Sequence, residues 1–337
     1  MNDAGFMNGA DIRSFYGNLN FNQFEPVGPF RSFNLGFNPS ASWDFGGNRL
    51  HTQTNAWGNM TFRNNWHLGA WGSRAFGGLS TGALRGGPAI VQPGRWMFNG
   101  WGNSDPRKPV WVEAFGFFAR DDERSGWMRE GSITMNARPS GALDLQFGPR
   151  ITERGSDWQY VSQVEDAAGE THYVFAGIRQ QMLSLTTRLT YTFAPTLSLQ
   201  VYAQPFLTAG SYGSFREVDD PRAAAFRDRF HVFTPDELTY VPAEEEGGWG
   251  EYEVDRDGDG AADYAFGEPD FNFKELRSNV VLRWEYRPGS AAFLVWSQGR
   301  SHTGPDGAFR FGQDMDTLLG AAGSNVLALK ISYWLDI

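Results

Sequence analysis

The sequence predicts an all-β chain: an antiparallel transmembrane β-barrel of about thirteen strands, an incomplete part of a larger barrel. Three observations carry that expectation. Apolar and polar residues alternate with period two over long stretches, the chain is rich in aromatics yet polar on average, and its connections alternate between short and long. Of its 337 residues, 15% are aromatic, with 13 Trp and 28 Phe, while 20% are charged. The mean hydropathy of −0.44 is too polar for a helical membrane protein. It suits strands that turn every second side chain to lipid and the rest to water.

The alternation is plain in Phe33, Leu35, Phe37, Ala41, Trp43 and Phe45, set against Ser32, Asn34, Asn38, Ser40, Ser42 and Asp44. It recurs in Leu183, Leu185, Thr187, Leu189, Tyr191 and Phe193, and again in Leu197, Leu199, Val201 and Ala203. The last run places Leu327, Leu329, Ile331, Tyr333, Leu335 and Ile337 on one face and Lys330, Ser332 and Asp336 on the other, with Trp334 as an exception. Each run is roughly 10–14 residues, enough to cross a bilayer at a tilt near 45°. Strands are expected near 11–24, 31–45, 49–62, 65–76, 94–103, 109–121, 125–138, 141–164, 171–194, 196–213, 271–287, 290–301 and 325–337. The pair 141–164 and 171–194 is long enough to rise beyond a membrane as a hairpin.

Tight links fall at Glu25–Pro29, Arg63–Asn65, Asn103–Lys108, Pro139–Gly141, Ala194–Pro195 and Arg287–Gly289. Between them lie Gly77–Gly94, Asp121–Arg124, Glu165–Gly169, Gly213–Phe271 and Ser301–Gly323. Short turns on one side and variable loops on the other match periplasmic turns and extracellular loops. The expected location is therefore a bacterial outer membrane, with its lipid as the first partner. A chain placed there must be exported, and Met1–Phe6 has neither a basic nor an apolar leader region. An odd strand count also leaves an open edge. Both features lead to the expectation that amino-terminal strands are missing.

Charge narrows the partners. Residues 213–271, expected to form a long acidic extracellular loop within the 1–337 barrel segment, hold 17 Asp/Glu against 5 Arg/Lys. With a whole-chain charge of −10, the remainder is about +2. That balance argues against nucleic acid and favours cations. The absence of cysteine excludes disulfides and thiolate metal sites.

Within this loop, Asp255-Arg256-Asp257-Gly258-Asp259-Gly260-Ala261-Ala262-Asp263 has carboxylates at positions 1, 3, 5 and 9 and glycine at 6. It resembles the calcium loops of dockerin and thrombospondin-type repeats. Ca²⁺ takes six to eight hard oxygen ligands, and the glycine permits the turn that converges them. Asp255, Asp257, Asp259 and Asp263 are thus the expected calcium ligands. Phe266 stands where such loops carry a bidentate Glu, so Glu268 or Asp270 is a candidate substitute. The bland alternative is a flexible acidic loop.

No catalytic residue is expected. Gly78-Leu79-Ser80-Thr81-Gly82 matches G-x-S-x-G, but its flanks read as a glycine-rich loop rather than strand and helix. His51, His67, His172, His231 and His302 are scattered without metal-ligand spacing. Among polar side chains expected to point inward, Arg150, Arg188, Gln200, Gln204, Arg283, Glu285 and Lys330 are lumen-lining candidates, with Asp144 and Gln146 beside them. They line either a permeation path or a lumen of cross-strand charge pairs. Trp43, Tyr191, Phe193, Trp284 and Tyr286 suit an interfacial aromatic girdle.

The stretch Phe273-Lys274-Glu275-Leu276-Arg277-Ser278-Asn279-Val280-Val281-Leu282-Arg283-Trp284-Glu285-Tyr286-Arg287-Pro288-Gly289-Ser290 resembles a family of large outer-membrane barrel proteins of unknown function. So do Leu294–Gln298, Lys330–Leu335, Asn2–Phe6 and Phe30–Leu35. These strand and turn sequences specify family rather than chemistry. Members resemble one another in carrying a family-9-type carbohydrate-binding module before the barrel. The resemblance implies that such a module precedes this chain, and its sugar binding does not transfer to residues here. The expected function is non-enzymatic: a channel, transporter or surface-binding scaffold, with glycans or oligosaccharides as the implied ligands. A barrel-embedded hydrolase and a soluble carbohydrate-binding β-protein are the alternatives.

Overall fold

The computed structural model describes residues 11–245 and 247–335. Asn2–Phe6, and Asp336 and Ile337 of the last expected strand, lie outside the described residues. The chain begins with β1 (Ile12–Tyr16), β2 (Leu19–Gln23), β3 (Phe30–Asp44), β4 (Arg49–Phe62) and β5 (His67–Phe76). A small hairpin follows, β6 (Gly78–Ser80) and β7 (Ile90–Gln92), then β8 (Arg95–Asn103), β9 (Val110–Asp121) and β10 (Gly126–Ser140). The longest strands are β11 (Leu143–Glu165), β12 (Thr171–Ala194) and β13 (Leu197–Val218). Then come β14 (Phe230–Val232), β15 (Leu238–Val241), β16 (Glu251–Val254) and β17 (Tyr264–Gly267). The chain closes with β18 (Phe271–Arg287), β19 (Ser290–Gly304), helix α1 (Phe311–Gly320) and β20 (Gly323–Ser332).

One antiparallel sheet dominates, in the order β1-β3-β4-β5-β8-β9-β10-β11-β12-β13-β18-β19-β20. β1 and β2 both pair β3 in one continuous register where a single strand was expected at 11–24; between them the Gly17 amide donates to the Pro39 carbonyl, and Pro39 has no N–H to return. Thirteen rungs result, as alternation predicted. Among the described residues the sheet is not closed into a barrel: β1/β2 at one edge and β20 at the other keep a free side. The reason is geometric. In an up-and-down meander the first and thirteenth strands run the same way, so they cannot close as an antiparallel pair.

Register sorts the side chains into two faces. One row across the sheet reads Gln146, Arg188, Tyr202, Asn279 and Ser297; its neighbour reads Leu145, Leu189, Val201, Val280, Trp296 and Leu327. The apolar rows are not covered by a second layer. Leu327, Leu329 and Ile331 are 71%, 68% and 64% exposed, whereas a soluble sandwich would bury such rows against a facing sheet.

On β12 the apolar rows run from Phe193 to Leu183 and stop at Gln181. About 11 residues at ~3.3 Å each, tilted ~45°, reach ~25 Å, the height of a bilayer's apolar band. Aromatics mark both limits. Trp66, Tyr191, Phe193 and Trp284 lie near the short turns, and Phe76 and Trp96 near the long connections; all are exposed. Trp43 belongs to the second rim, and Tyr286 packs beside Trp284 in the first.

Above the band, the extensions of β11–β13 are clasped on both sides. Val174, Ala176 and Phe215 pack with Phe233, Val254, Tyr264 and Phe266 of the 219–270 insertion. Phe175 packs instead with Leu84 and Ile90 from the β6–β7 hairpin and with Phe226 and Phe230. The insertion is therefore a folded cap rather than an open loop, with its own sheet β15-β16-β17. Helix α1 was not foreseen within Ser301–Gly323. It is held by Asp314, whose Oδ1 accepts from Asn272 Nδ2 at 2.9 Å and lies 3.3 Å from Lys274 Nζ, both ionic groups being buried.

Candidate functional site

All seven expected lumen residues fall on the polar face. Arg150 pairs with Glu130 at 3.0 Å, and Arg283 donates to Glu285 at 2.6 Å. Arg188 lies over the Tyr202 ring, whose hydroxyl donates to Gln204 at 2.6 Å; Gln204 in turn donates to Thr186. Arg188 and Gln204 border a hollow of about 320 Å³ with Arg150. Gln200 shares an adjoining one of about 380 Å³ with Arg188 and Asn279. Lys330 stands opposite Phe293 near the short turns, apart from these hollows. Charged groups on this wall thus pair both across strands, as Arg150 does with Glu130, and along one strand, as Arg283 does with Glu285, with open space between them.

The aspartate loop bridges β16 and β17 in the cap. Asp255, Asp257 and Asp263 bring one carboxylate oxygen each within 4.8 Å of one another, so the triad could hold a metal ion. Ca²⁺–oxygen distances of about 2.4 Å allow opposed ligands up to ~4.8 Å apart, so the donor set fits a hard divalent cation. Gly258 and Gly260 have φ of 75° and 91°, conformations a side chain would strain. Their amides donate to the two oxygens of Asp255 at 2.8 and 2.9 Å, preshaping the turn. Asp259 stands outside the triad, its Oδ1 accepting from the Ala261 amide. Glu268 and Asp270 are engaged elsewhere: Glu268 accepts from Tyr240 and the Gly250 amide, and Asp270 from the Tyr212 amide.

A buried polar network, invisible in the linear sequence, fastens this loop to the sheet. Arg256, between two of the aspartates, donates from Nε to Glu217 at 2.7 Å and from Nη1 to Glu237 at 3.2 Å. Its amide donates to Asp263 at 2.6 Å. Tyr264 donates its hydroxyl to Glu217 at 2.7 Å, and His172 lies 3.0 Å from the same carboxylate while stacking on the Tyr264 ring.

Burial opposes ionisation of Glu217, but the hydrogen bonds from Arg256, Tyr264 and His172 outweigh it and lower its pKa. Glu237 is pulled down to about 2, first by the Thr234 amide and then, against slight desolvation, by His231 and Thr234. Tyr264 is pushed up, by burial and by Glu217. The only sequence signal for this network was an arginine placed inside an acidic motif.

Ser80 ends the three-residue strand β6 and its Oγ accepts from the Gly82 and Ala83 amides, an arrangement that stabilises a turn. No helix follows it. His172 and His231 meet carboxylates, and no histidine joins the aspartate triad.

The profile of a domain of unknown function, DUF5916, matches residues 1–229 and 247–337. The chain belongs to this family. That agrees with the resemblance in its strand and turn sequences, at the level of an uncharacterised β-rich family. No curated protein and no solved structure matches the chain. No helix among the described residues is long and apolar enough to cross a membrane, which leaves crossing by strands open.

Proposed function

We propose that this chain forms the wall of a transmembrane β-barrel in a bacterial outer membrane, serving as a channel, transporter or surface scaffold for glycans or oligosaccharides. One observation carries the reading: a ~25 Å apolar band, uncovered and edged by aromatics, on the back of a polar face. In lipid every backbone polar group needs a partner, so the two open edges call for further strands to complete the ring. The 219–270 cap and the β6–β7 hairpin then lie on the cell surface. The protein is expected to require detergent for extraction and to run differently on gels with and without heating. Release by salt or alkali alone would overturn the assignment. A conductance step in planar bilayers separates a channel from a scaffold.

For the aspartate loop, we infer Ca²⁺ as the ligand. Three carboxylates so close repel one another, and a divalent cation neutralises them. Sites in extracellular modules bind in the ~10⁻⁴–10⁻³ M range. Calorimetry should show saturable binding there, weakened several-fold by Asp257→Asn. A flat titration at millimolar Ca²⁺ would refute the site.

A further inference from the structure

The polar face is chemically divided. On β3, β4, β5 and β8, the side chains between Ser32 and Ser42, His51 and Thr61, His67 and Ala75, and Met97 and Asn103 that share this face include no Lys, Arg, Asp or Glu. The charges gather on the other half, at Glu130, Arg150, Arg188, Glu275, Arg277 and Arg283.

The neutral half carries amides and indoles instead. Asn59 donates to Asn34 at 3.1 Å, Gln53 to Asn55 at 2.7 Å, and the Trp57 indole to Asn38 at 3.1 Å. Trp57 and Trp71 stand directly opposite each other, and Trp101 is one pair further along on β8. Two of these indoles lie directly over glycines of the neighbouring strand. A Cβ at Gly36 would fall 2.1–2.6 Å from Trp57 ring atoms, and one at Gly69 would fall 2.2–2.5 Å from those of Trp101. Glycine therefore lets each ring settle on backbone, leaving its other side toward the polar space. In the row of Trp57 and Trp71, the buried Asn99 Oδ1 finds no donor among the described residues. An unmatched acceptor of that kind is costly until a donor arrives.

We propose that this neutral wall binds uncharged saccharide, with Trp57, Trp71 and Trp101 as stacking platforms and the surrounding amides as hydroxyl partners. The inference deepens the glycan reading above by naming the ligand class and its site. Apolar C–H faces of a sugar suit an aromatic plane, and its hydroxyls both donate and accept, as amides do. An acidic saccharide would instead be drawn to unpaired arginines, whereas the one arginine in register with this wall, Arg95 beside Ala75 at its upper edge, is already paired with Asp121. The structural alternative is that the indoles only cover the glycines, as aromatic residues do in other sheets.

Full-chain protein in detergent, titrated with neutral malto-, cello-, xylo- and laminari-hexaoses and with oligogalacturonate, decides between them. Tryptophan fluorescence should change saturably with at least one neutral sugar, and less with the acidic one. Trp57→Ala and Trp101→Ala should each weaken binding about ten-fold. Trp57→Phe retains a platform and should lose less, while Trp96→Ala on the apolar face should leave binding unchanged. An unchanged heat shift on gels confirms that each variant is folded. Overturning results are no response to any neutral sugar, preference for the acidic one, or wild-type binding by the folded Trp57 and Trp101 variants. Extraction without detergent would sink the membrane reading, whereas these titrations judge the saccharide wall on its own.

Discussion

Glu217→Ala should detach the cap from the sheet while leaving the membrane-facing strands in place. Glu217 is the shared acceptor for Arg256, Tyr264 and His172, three groups brought to one buried carboxylate. Its loss leaves Arg256 only the longer contact to Glu237 and leaves the buried Tyr264 hydroxyl without an acceptor, at about 1–3 kcal/mol for each group so stranded. Limited proteolysis should then cut within 219–270 at rates orders of magnitude above wild type. Glu217→Gln, which still accepts from Tyr264, should be milder.

The pH dependence follows from the lowered pKa values of Glu217 and Glu237. A depressed folded-state carboxylate stabilises fully above its ordinary pKa of 4.5. It loses that contribution as pH falls through the folded value, about 2 for Glu237. Cap protection should therefore hold at neutral pH and decline between about 4.5 and about 2. Protection that is unchanged in Glu217→Ala, or that rises on acidification, would contradict this account of the network.

The second large effect is expected at the other buried pair. Asp314→Ala strands Lys274, whose side chain is only 5% exposed, and removes the acceptor that Asn272 and the Arg310 amide share. A loss of about 3–5 kcal/mol, or release of α1 from the sheet, is expected. Lys274→Met with Asp314→Leu should recover the part owed to the stranded lysine, because hydrophobic replacement of a whole buried pair is often neutral, while Asn272 and the Arg310 amide still lack this acceptor. Thermal unfolding of the two single variants and the double variant tests the coupling. Additive losses would mean that the pair does not hold the helix.

The strands were legible because alternation repeats over long runs. The expected limits 171–194 and 271–287 coincide with β12 and β18. β13 runs five residues past its expected end, to Val218, because the cap packs on its extension and β14 pairs with it. The cap's own strands are four residues long, too short for a period to emerge. Helix α1 escaped for a similar reason. Phe311-Gly312-Gln313-Asp314-Met315-Asp316-Thr317-Leu318-Leu319-Gly320 has glycine near each end and Arg310 at its N-cap, so tertiary anchoring by Asp314 replaces local signals. The aspartate loop was readable because its carboxylates are close in sequence. Its anchor was not, since Arg256 and Glu217 are 39 residues apart.

The central claim is that neighbouring residues on one strand face different solvents. With no native cysteine, the chain suits single-cysteine labelling in outer membranes. Leu189→Cys carrying a fluorophore should be quenched by nitroxide on lipid chains and resist water-soluble maleimide. Thr190→Cys, one residue on, should react with the soluble reagent and escape the lipid quencher. Equal access of both positions to water would contradict the membrane-spanning sheet.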